Sequence, residues 1–354
     1  MDSVLDEFRH RIRAATQGHS KLCIQGGGSK QWYGQTAKEE VLDTSAYRGI
    51  IAYEPTELVI TAKCGTPLAE IEAVLDQQHQ MFAFEPPHFG TTATIGGVVA
   101  AGLSGPRRAT AGAVRDFVLG VTLMDGRGEV LSFGGQVMKN VAGNDVSRLL
   151  TGSMGCLGLL LDVSIKVLPK PFAETTLAFA LSESDAIDRM NEWGGQALPI
   201  SASSWQVGRL MLRLSGAEAA VRAAKQKLGG EEIANADAYW ISVREQSQDF
   251  FAQDDERGLW RLSLPSATPA LRLNGKTMIE WGGAQRWLYS DEHPQTIRDM
   301  VGQAGGHVTL FRGGDKASGV FTPLSAPLHK IHRNLKNSFD PAGIFNPGRM
   351  YPDL

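Results

Sequence analysis

Two rhythms of apolar residues run through the first 170 positions. Val4, Leu5, Phe8 and Ile12 share one stripe and predict a helix over residues 4–16. Leu68, Ile71, Val74 and Leu75 predict a second, opened by Gly65-Thr-Pro-Leu, with Thr66 as N-cap and Pro67 at the first helical position. Short apolar runs of strand type fall at 21–25, 41–43, 50–53, 58–63, 117–124, 130–133 and 159–168. Asp125-Gly-Arg-Gly reads as the hairpin turn between 117–124 and 130–133, and 145–150 as a short helical turn. Strands alternating with helices point to an α+β or α/β arrangement. Pro169-Lys-Pro ends the pattern and reads as a domain boundary.

The texture then changes. Strands are predicted at 207–214, 260–264, 276–281 and 307–312. Helices are predicted from Ser215-Gly-Ala-Glu to Gly229-Gly230 and over 294–303. This composes one antiparallel sheet covered by helices. A last helix over 324–338 carries Leu324, Leu328, Ile331 and Leu335 on one stripe. The tail Phe339-Asp-Pro-Ala-Gly-Ile-Phe-Asn-Pro-Gly cannot continue it.

Between the strand at 21–25 and the next apolar run lies Gln25-Gly-Gly-Gly-Ser-Lys. Three glycines expose backbone N–H groups and permit a concave nest that can wrap a pyrophosphate, with Ser29 and Lys30 adding a hydroxyl and a positive charge. Taken alone, such a run reads as a surface turn, so the case rests on what lies downstream. The P-loop spacing is absent, and Gly-x-Gly-x-x-Gly fails at Gln31. Forty glycines in 354 residues exceed the usual ~7 % and cluster in loops, as a chain lining a long cofactor requires. A net charge of −3 argues against a general nucleic-acid binder. Cys23, Cys64 and Cys156 include no Cys-x-x-Cys pair, so the chain holds no iron–sulfur ligand set of its own; they read as reduced packing cysteines. The N-terminal stretch lacks the basic start and apolar core of a signal peptide, and no run of about 18 apolar residues is present.

Gly26-Gly-Gly-Ser, Thr94-Ile-Gly-Gly, Lys139-Asn-Val-Ala-Gly-Asn-Asp, Gly152-Ser-Met-Gly-Cys-Leu-Gly and the terminal Phe339-Asp-Pro…Asn-Pro-Gly occur in a fixed order. Together they resemble the vanillyl-alcohol-oxidase/PCMH-type FAD-binding fold. With Glu85-Pro-Pro-His-Phe-Gly, Arg213-Leu-Ser-Gly and Glu280-Trp-Gly-Gly, the chain is similar to the shorter FAD-binding subunits of bacterial glycolate oxidases. The resemblance implies an α+β cofactor domain over 1–170, a small antiparallel cap domain over 171–318, and a segment 319–354 returning to the cofactor domain. It implies FAD held by Gln25, Gly26, Gly27, Gly28, Ser29 and Lys30 at the pyrophosphate. Gly90, Thr91, Thr92, Ile95, Gly96 and Gly97 would lie along the path to the isoalloxazine. Ser104, Arg107 and Arg108 would face the flavin. Lys139, Asn140, Gly143, Gly152, Gly155 and Gly158 would wrap the dinucleotide, Leu159 would sit beside the adenine, and Asn346 would return from the C-terminus. The loop at 28–32 contains no histidine, so non-covalent FAD is expected.

Related 2-hydroxyacid dehydrogenases often carry His-x-Gly-Asp-Gly-Asn-x-x-His in the cap; His307-Val-Thr-Leu-Phe-Arg-Gly-Gly-Asp departs from that spacing, so no metal site is expected. His329-x-x-His332 reads as a polar helix face. Oxidising a 2-hydroxy acid needs a cation for the carboxylate, a base for the hydroxyl proton and a hydride acceptor. Arg312 is the candidate cation, and His307 or His88 the candidate base; the plainer reading of each is a strand or loop residue satisfied by local hydrogen bonds. Three functions stay open: a flavin subunit assisting a larger FAD-binding paralogue and an iron–sulfur subunit in oxidising glycolate, a self-sufficient FAD-dependent 2-hydroxyacid dehydrogenase, and a structural subunit with a vestigial flavin site. The expected location is cytoplasmic, with membrane association at most peripheral and through partners. Six tryptophans (Trp193, Trp205, Trp240, Trp260, Trp281 and Trp287) fall in the cap, and an exposed subset is expected to anchor a partner.

Overall fold

The N-terminal stripe folds as predicted in the computed structural model, which describes residues 3–135, 146–252 and 257–354. The Ser3–Gly18 helix buries Phe8, Ile12 and Ala15. They pack with Leu22, Leu42, Met124, Leu161 and Phe345 in one apolar cluster. That cluster gathers both ends of the chain around the strand Leu22–Gln25, which pairs in parallel with Glu40–Asp43.

Two antiparallel sheets form the body. The first runs in the order Ile50–Glu54, Val59–Lys63, Leu159–Lys166, Val118–Met124, Val130–Gly134. Leu159–Lys166 is central and nearly continuous in buried residues, as a strand covered on both faces must be. The hairpin at Asp125 closes as predicted, with Met124 opposite Val130. The second sheet has eight strands, in the order Glu231–Ile233, Ala173–Ala180, Arg209–Gly216, Ile200–Gln206, Lys276–Glu280, Gln285–Ser290, Gly258–Ser263, His307–Arg312. Helices Glu183–Gly194 and Glu218–Leu228 share an apolar cluster with its strands.

A buried ionic cluster fastens one sheet's surroundings to the other. Glu85 Oε1 lies 2.8 Å from Arg213 Nη2 and 3.4 Å from Arg107 Nε. Arg107 Nη2 reaches Glu174 Oε2 at 2.8 Å, and the Ser215 hydroxyl donates to that same oxygen. Burial works to raise the Glu85 carboxyl, but Arg213 and then Arg107 outweigh it and hold it below the usual range.

Several local expectations need correction. Pro67 itself occupies the N-cap of Leu68–Asp76 and offers no side-chain cap. The Thr66 hydroxyl instead lies within hydrogen-bonding distance of the Lys63 and Gly49 carbonyl oxygens and accepts from the Gly49 amide. The strand expected at 207–214 begins at Arg209. Val207 and Gly208 form a two-residue hairpin turn at φ 48° and 75°, closing Ile200–Gln206 onto Arg209–Gly216. Of the six cap tryptophans, five are at most 8 % exposed, and the sixth, Trp281, lies under the Arg108 guanidinium. The five are core residues, because the eight-stranded sheet needs large rings beneath its helices. The final helix spans Ala326–Phe339, and its one buried residue is Lys336; Leu324 falls outside it.

A β-branched residue in the left-handed region costs on the order of 1–2 kcal/mol, which Asn largely avoids. Val207→Asn is therefore expected to raise the urea unfolding midpoint, by about 1 kcal/mol in stability, with unchanged slope. An unchanged or lower midpoint would show that the turn carries no such strain.

Candidate cofactor site

The strand Leu22–Gln25 ends in the glycine run, and the chain there is pressed against residues 92–97. A side chain at Gly27 would drive its Cβ into the carbonyl oxygen of Thr92, and one at Gly26 into the hydroxyl of Thr94. Gly28 takes φ 70°, open chiefly to glycine. Thr94 caps the helix Ile95–Ala101, accepting from the Gly97 amide at 3.2 Å. Gly96 abuts Cys64, where an added Cβ would stand 2.6 Å from the cysteine Cβ. The glycines thus answer to close approach of backbone on one side of the loop.

On its other side the loop opens into a cleft of about 770 Å³ of unfilled space, part of it open to solvent. The five amides from Gly26 to Lys30 find no acceptor among the described residues. Arg349, 6 % exposed, lines the same cleft. Its guanidinium donates to the carbonyls of Gln35 and Gln31 at 2.5 and 2.8 Å, and no carboxylate pairs with it among the described residues. Burial pushes the Lys30 ammonium down to about 8, with Glu245 acting against it. Its Nζ donates to the Ser29 hydroxyl and the His88 carbonyl, at the cleft's edge. Amides without acceptors and a buried guanidinium outside any ion pair are the kind of donor set a diphosphate requires.

The C-terminal tail supplies the opposite wall. Asn346 accepts from the Ile24 amide at 2.7 Å and donates to the Met154 carbonyl at 2.6 Å. One side chain therefore ties strand 22–25 to the second glycine loop. Its position depends on Asp340, 0 % exposed, which accepts from the amides of Ile344 and Phe345 at 3.0 and 2.8 Å. Lys336 donates to Asp340 at 2.7 Å and to the carbonyls of Cys156 and Phe345 at 2.7 and 2.6 Å.

The expected residues divide into groups. Gln25 to Lys30, Gly96, Gly97, Gly155, Gly158, Leu159 and Asn346 line the cleft. Gly155, at φ 74°, would place a Cβ 2.8 Å from Asn346 Nδ2. Ile95 does not line it; it is 1 % exposed and belongs to the core, because the helix turns its apolar residue away from the loop. Gly90, Thr91 and Thr92 are exposed near the glycine run, where Thr92 donates to the Gly27 carbonyl. Gly152 backs onto Gly102 and lines a different groove. Arg107 is spent on Glu85 and Glu174, Arg108 stacks on Trp281 at 4.4 Å, and the Ser104 hydroxyl accepts from Val114 N. Lys139, Asn140 and Gly143 lie outside the described residues.

The catalytic candidates are not brought together. His307 and Arg312 stand at opposite ends of one strand, about 16 Å apart at strand rise. His307 is exposed. Arg312 donates to Gln246 Oε1 at 3.0 Å and lies 4.5 Å over the Trp32 ring. His88 Nε2 is 2.9 Å from Glu72 Oε2, out of line for a hydrogen bond. His329 pairs with Asp353 at 2.6 Å, and His332 meets the Leu328 carbonyl oxygen at 2.8 Å. Among the described residues no group of three or more His, Cys, Asp or Glu side chains could hold a metal. Glu280 is the charged group that sequence reasoning missed in the cap. It is 5 % exposed and accepts from Trp287 Nε1 at 2.8 Å and Gln285 Nε2 at 2.5 Å; burial pushes its carboxyl up to about 7 against those two donors. Arg349 was missed likewise, although it follows the Asn346-Pro-Gly motif directly.

Residues 5–134 match the family described as an FAD binding domain. The chain is 49 % identical over 344 residues to the glycolate oxidase subunit GlcE of Escherichia coli, covering 97 % of this chain and 96 % of that one. The chain belongs to this family. Glycolate oxidase subunit GlcD of Bacillus subtilis is 28 % identical over 183 residues, 51 % of this chain and 39 % of that one. D-lactate dehydrogenase of Archaeoglobus fulgidus is 27 % identical over 200 residues, 55 % and 44 % of the two chains. Among solved structures, alkyldihydroxyacetonephosphate synthase superposes with a TM-score of 0.66 at 14 % identity, over 97 % of this chain and 75 % of that one, a likeness of fold. The fold is the α+β VAO/PCMH type, and the cofactor is FAD.

Two variants test this geometry. Gly27→Ala is expected to purify with at least about tenfold less flavin per chain, read from visible absorbance, since the loop must move off Thr92. Lys336→Met leaves the Asp340 carboxylate buried without its cation and is expected to cost about 3–5 kcal/mol in urea unfolding. Wild-type flavin content in the first, or wild-type stability in the second, would refute the corresponding role.

Proposed function

We propose that this chain is the FAD-binding subunit of a hetero-oligomeric glycolate oxidase, a complex that converts glycolate to glyoxylate. The observation that carries this reading is the row of amides from Gly26 to Lys30 that find no acceptor among the described residues and line one cleft with the buried Arg349, in a chain that matches GlcE along nearly its whole length. The cofactor half comprises residues 1–170 with the returning segment 319–354, and residues 171–318 form the cap.

In this assignment Gly26 to Lys30 and Arg349 hold the diphosphate. Gly155, Gly158 and Leu159 flank the rest of the dinucleotide, and Asn346 sets the spacing between the two glycine loops. FAD supplies a two-electron acceptor. Attachment is non-covalent: no histidine lines the cleft among the described residues. Cys64, which does, has its thiol pushed well up by burial and then by Asp162, so it stays a protonated, weak nucleophile. Conversion of glycolate to glyoxylate removes two electrons and two protons, and the separation of His307 from Arg312 argues against this chain's cap doing it alone. The larger FAD-binding paralogue oxidises the hydroxy acid, and this subunit relays electrons or supports that paralogue. With no cluster ligands of its own, it passes electrons to the iron–sulfur subunit. The assembly is cytoplasmic, and any membrane association is peripheral through partners. Among the described residues no helix is long and apolar enough to cross a membrane.

The test is the visible spectrum of the purified chain, taken without oxygen. A flavin spectrum is expected, released to the supernatant on denaturation. Glycolate alone should leave it unmoved, and addition of the larger subunit should allow glycolate to bleach it. Bleaching by glycolate alone would overturn the division of labour. A full-length chain that binds no FAD even within the complex would overturn the flavin role.

A further inference from the structure

The Ala326–Phe339 helix presents a physical anomaly. Its apolar residues fall at helical spacing, yet within this chain two of them stay in the open. Leu328 is 48 % and Ile331 52 % exposed, and the helix buries only Lys336. A stripe of this kind ordinarily faces a core. Beside it lies a groove of about 730 Å³ of unfilled space, part of it open to solvent. Leu149, Leu157, Leu335, Met350 and Leu354 are among its lining residues, and Leu149 is itself 41 % exposed. Three of the chain's exposed large apolar side chains thus belong to this helix or its adjoining groove.

We infer that the groove and the Leu328–Ile331 face form the docking surface for the other flavin subunit of the complex, which inserts an apolar segment rimmed by carboxylates. The inference rests on the reading of the chain as a subunit and adds where on it the partner sits.

Three observations favour an acidic-rimmed partner segment over a bilayer or a second copy of this chain. The surface is concave, which suits an inserted side chain or helix rather than the flat face of a bilayer. The helix carries His329, Lys330, His332, Arg333 and Lys336 and no acidic residue, in a chain whose net charge is −3. Asp353 meets His329 and Arg333, while no carboxylate pairs with Lys330 among the described residues. A second copy of this chain placed symmetrically there would set Lys330 and Arg333 near their own counterparts, a like-charge contact, whereas an acidic-rimmed segment complements them. The surface also lies on the far side of the Cys156 loop from the cofactor. Lys336 and Cys156 line the groove, and the Cys156 carbonyl accepts from Lys336 at 2.7 Å. A docked partner would therefore press on the same tail that walls the flavin cleft.

The experiment measures binding of the full-length FAD-loaded chain to the purified larger flavin subunit. It compares wild type, the double variant Leu328→Glu/Ile331→Glu, and Lys330→Glu. Flavin content and thermal midpoint are checked in each. The double variant is expected to bind at least about tenfold more weakly, with wild-type flavin content and midpoint. Lys330→Glu should weaken binding less, and more at low than at high salt. Wild-type affinity in the double variant overturns the inference, and Leu149→Glu provides a second, independent surface change should the first fail to fold. Flotation of the chain alone with phosphatidylserine vesicles, abolished by the double variant, would assign the surface to a membrane and overturn it. A dimer of the chain alone, broken by the same variant, would assign it to a second copy and overturn it. Failure of the wild-type chain to bind the larger subunit would overturn both this inference and the proposed function.

Discussion

A single buried ion pair near the C-terminus holds the cofactor cleft in shape. Asp340 is fully enclosed and would be costly there without its three contacts: two backbone amides and the Lys336 ammonium. Lys336 spends its other two donors on carbonyls from the second glycine loop and from the tail itself. The pair thereby welds three segments far apart in sequence. From that weld the tail runs beside Leu22, places Asn346 between Ile24 and Met154, and brings Arg349 to the floor of the cleft. The glycine run can keep its amides unpaired because its surroundings are fixed by other means.

Glycine serves two purposes in this site. At Gly27 and Gly96 the absent Cβ lets two backbones touch, and at Gly26 it makes room for the Thr94 side chain; at Gly28 and Gly155 it permits a positive φ. Neither purpose is contact with a phosphate. The property suited to a ligand is the set of N–H groups that find no acceptor among the described residues, lining one cleft with the buried guanidinium of Arg349. An anion completes both at once, which is why the arrangement fits a dinucleotide better than a neutral ligand.

The cap side follows a different logic. Three arginines at its border with the cofactor half are committed to structure: Arg107 and Arg213 clamp Glu85 and Glu174, and Arg108 covers Trp281. The strand bearing both candidate residues, His307 and Arg312, separates them by its own length. The short cap thus fits a subunit that supports chemistry performed elsewhere in an assembly.

Sequence by itself determined the local periodicities and the cofactor family. The N-terminal helix, the hairpin at Asp125, the central Leu159–Lys166 strand and the antiparallel cap follow from apolar spacing and turn residues, which act over a few positions. The ordered glycine motifs were legible because backbone constraints restrict residue choice so strongly. Tertiary structure alone decided the rest. It sent Ile95 inward, turned Gly152 toward another groove, and committed Arg107 to an ion pair across 67 residues of chain. It put five of the six cap tryptophans in the core and left two residues of the last helix's stripe in the open. It also made Lys336 and Arg349 part of the site. A charged residue's neighbours come from long-range packing, and a lysine buried on three acceptors has the same local spacing as a lysine in water.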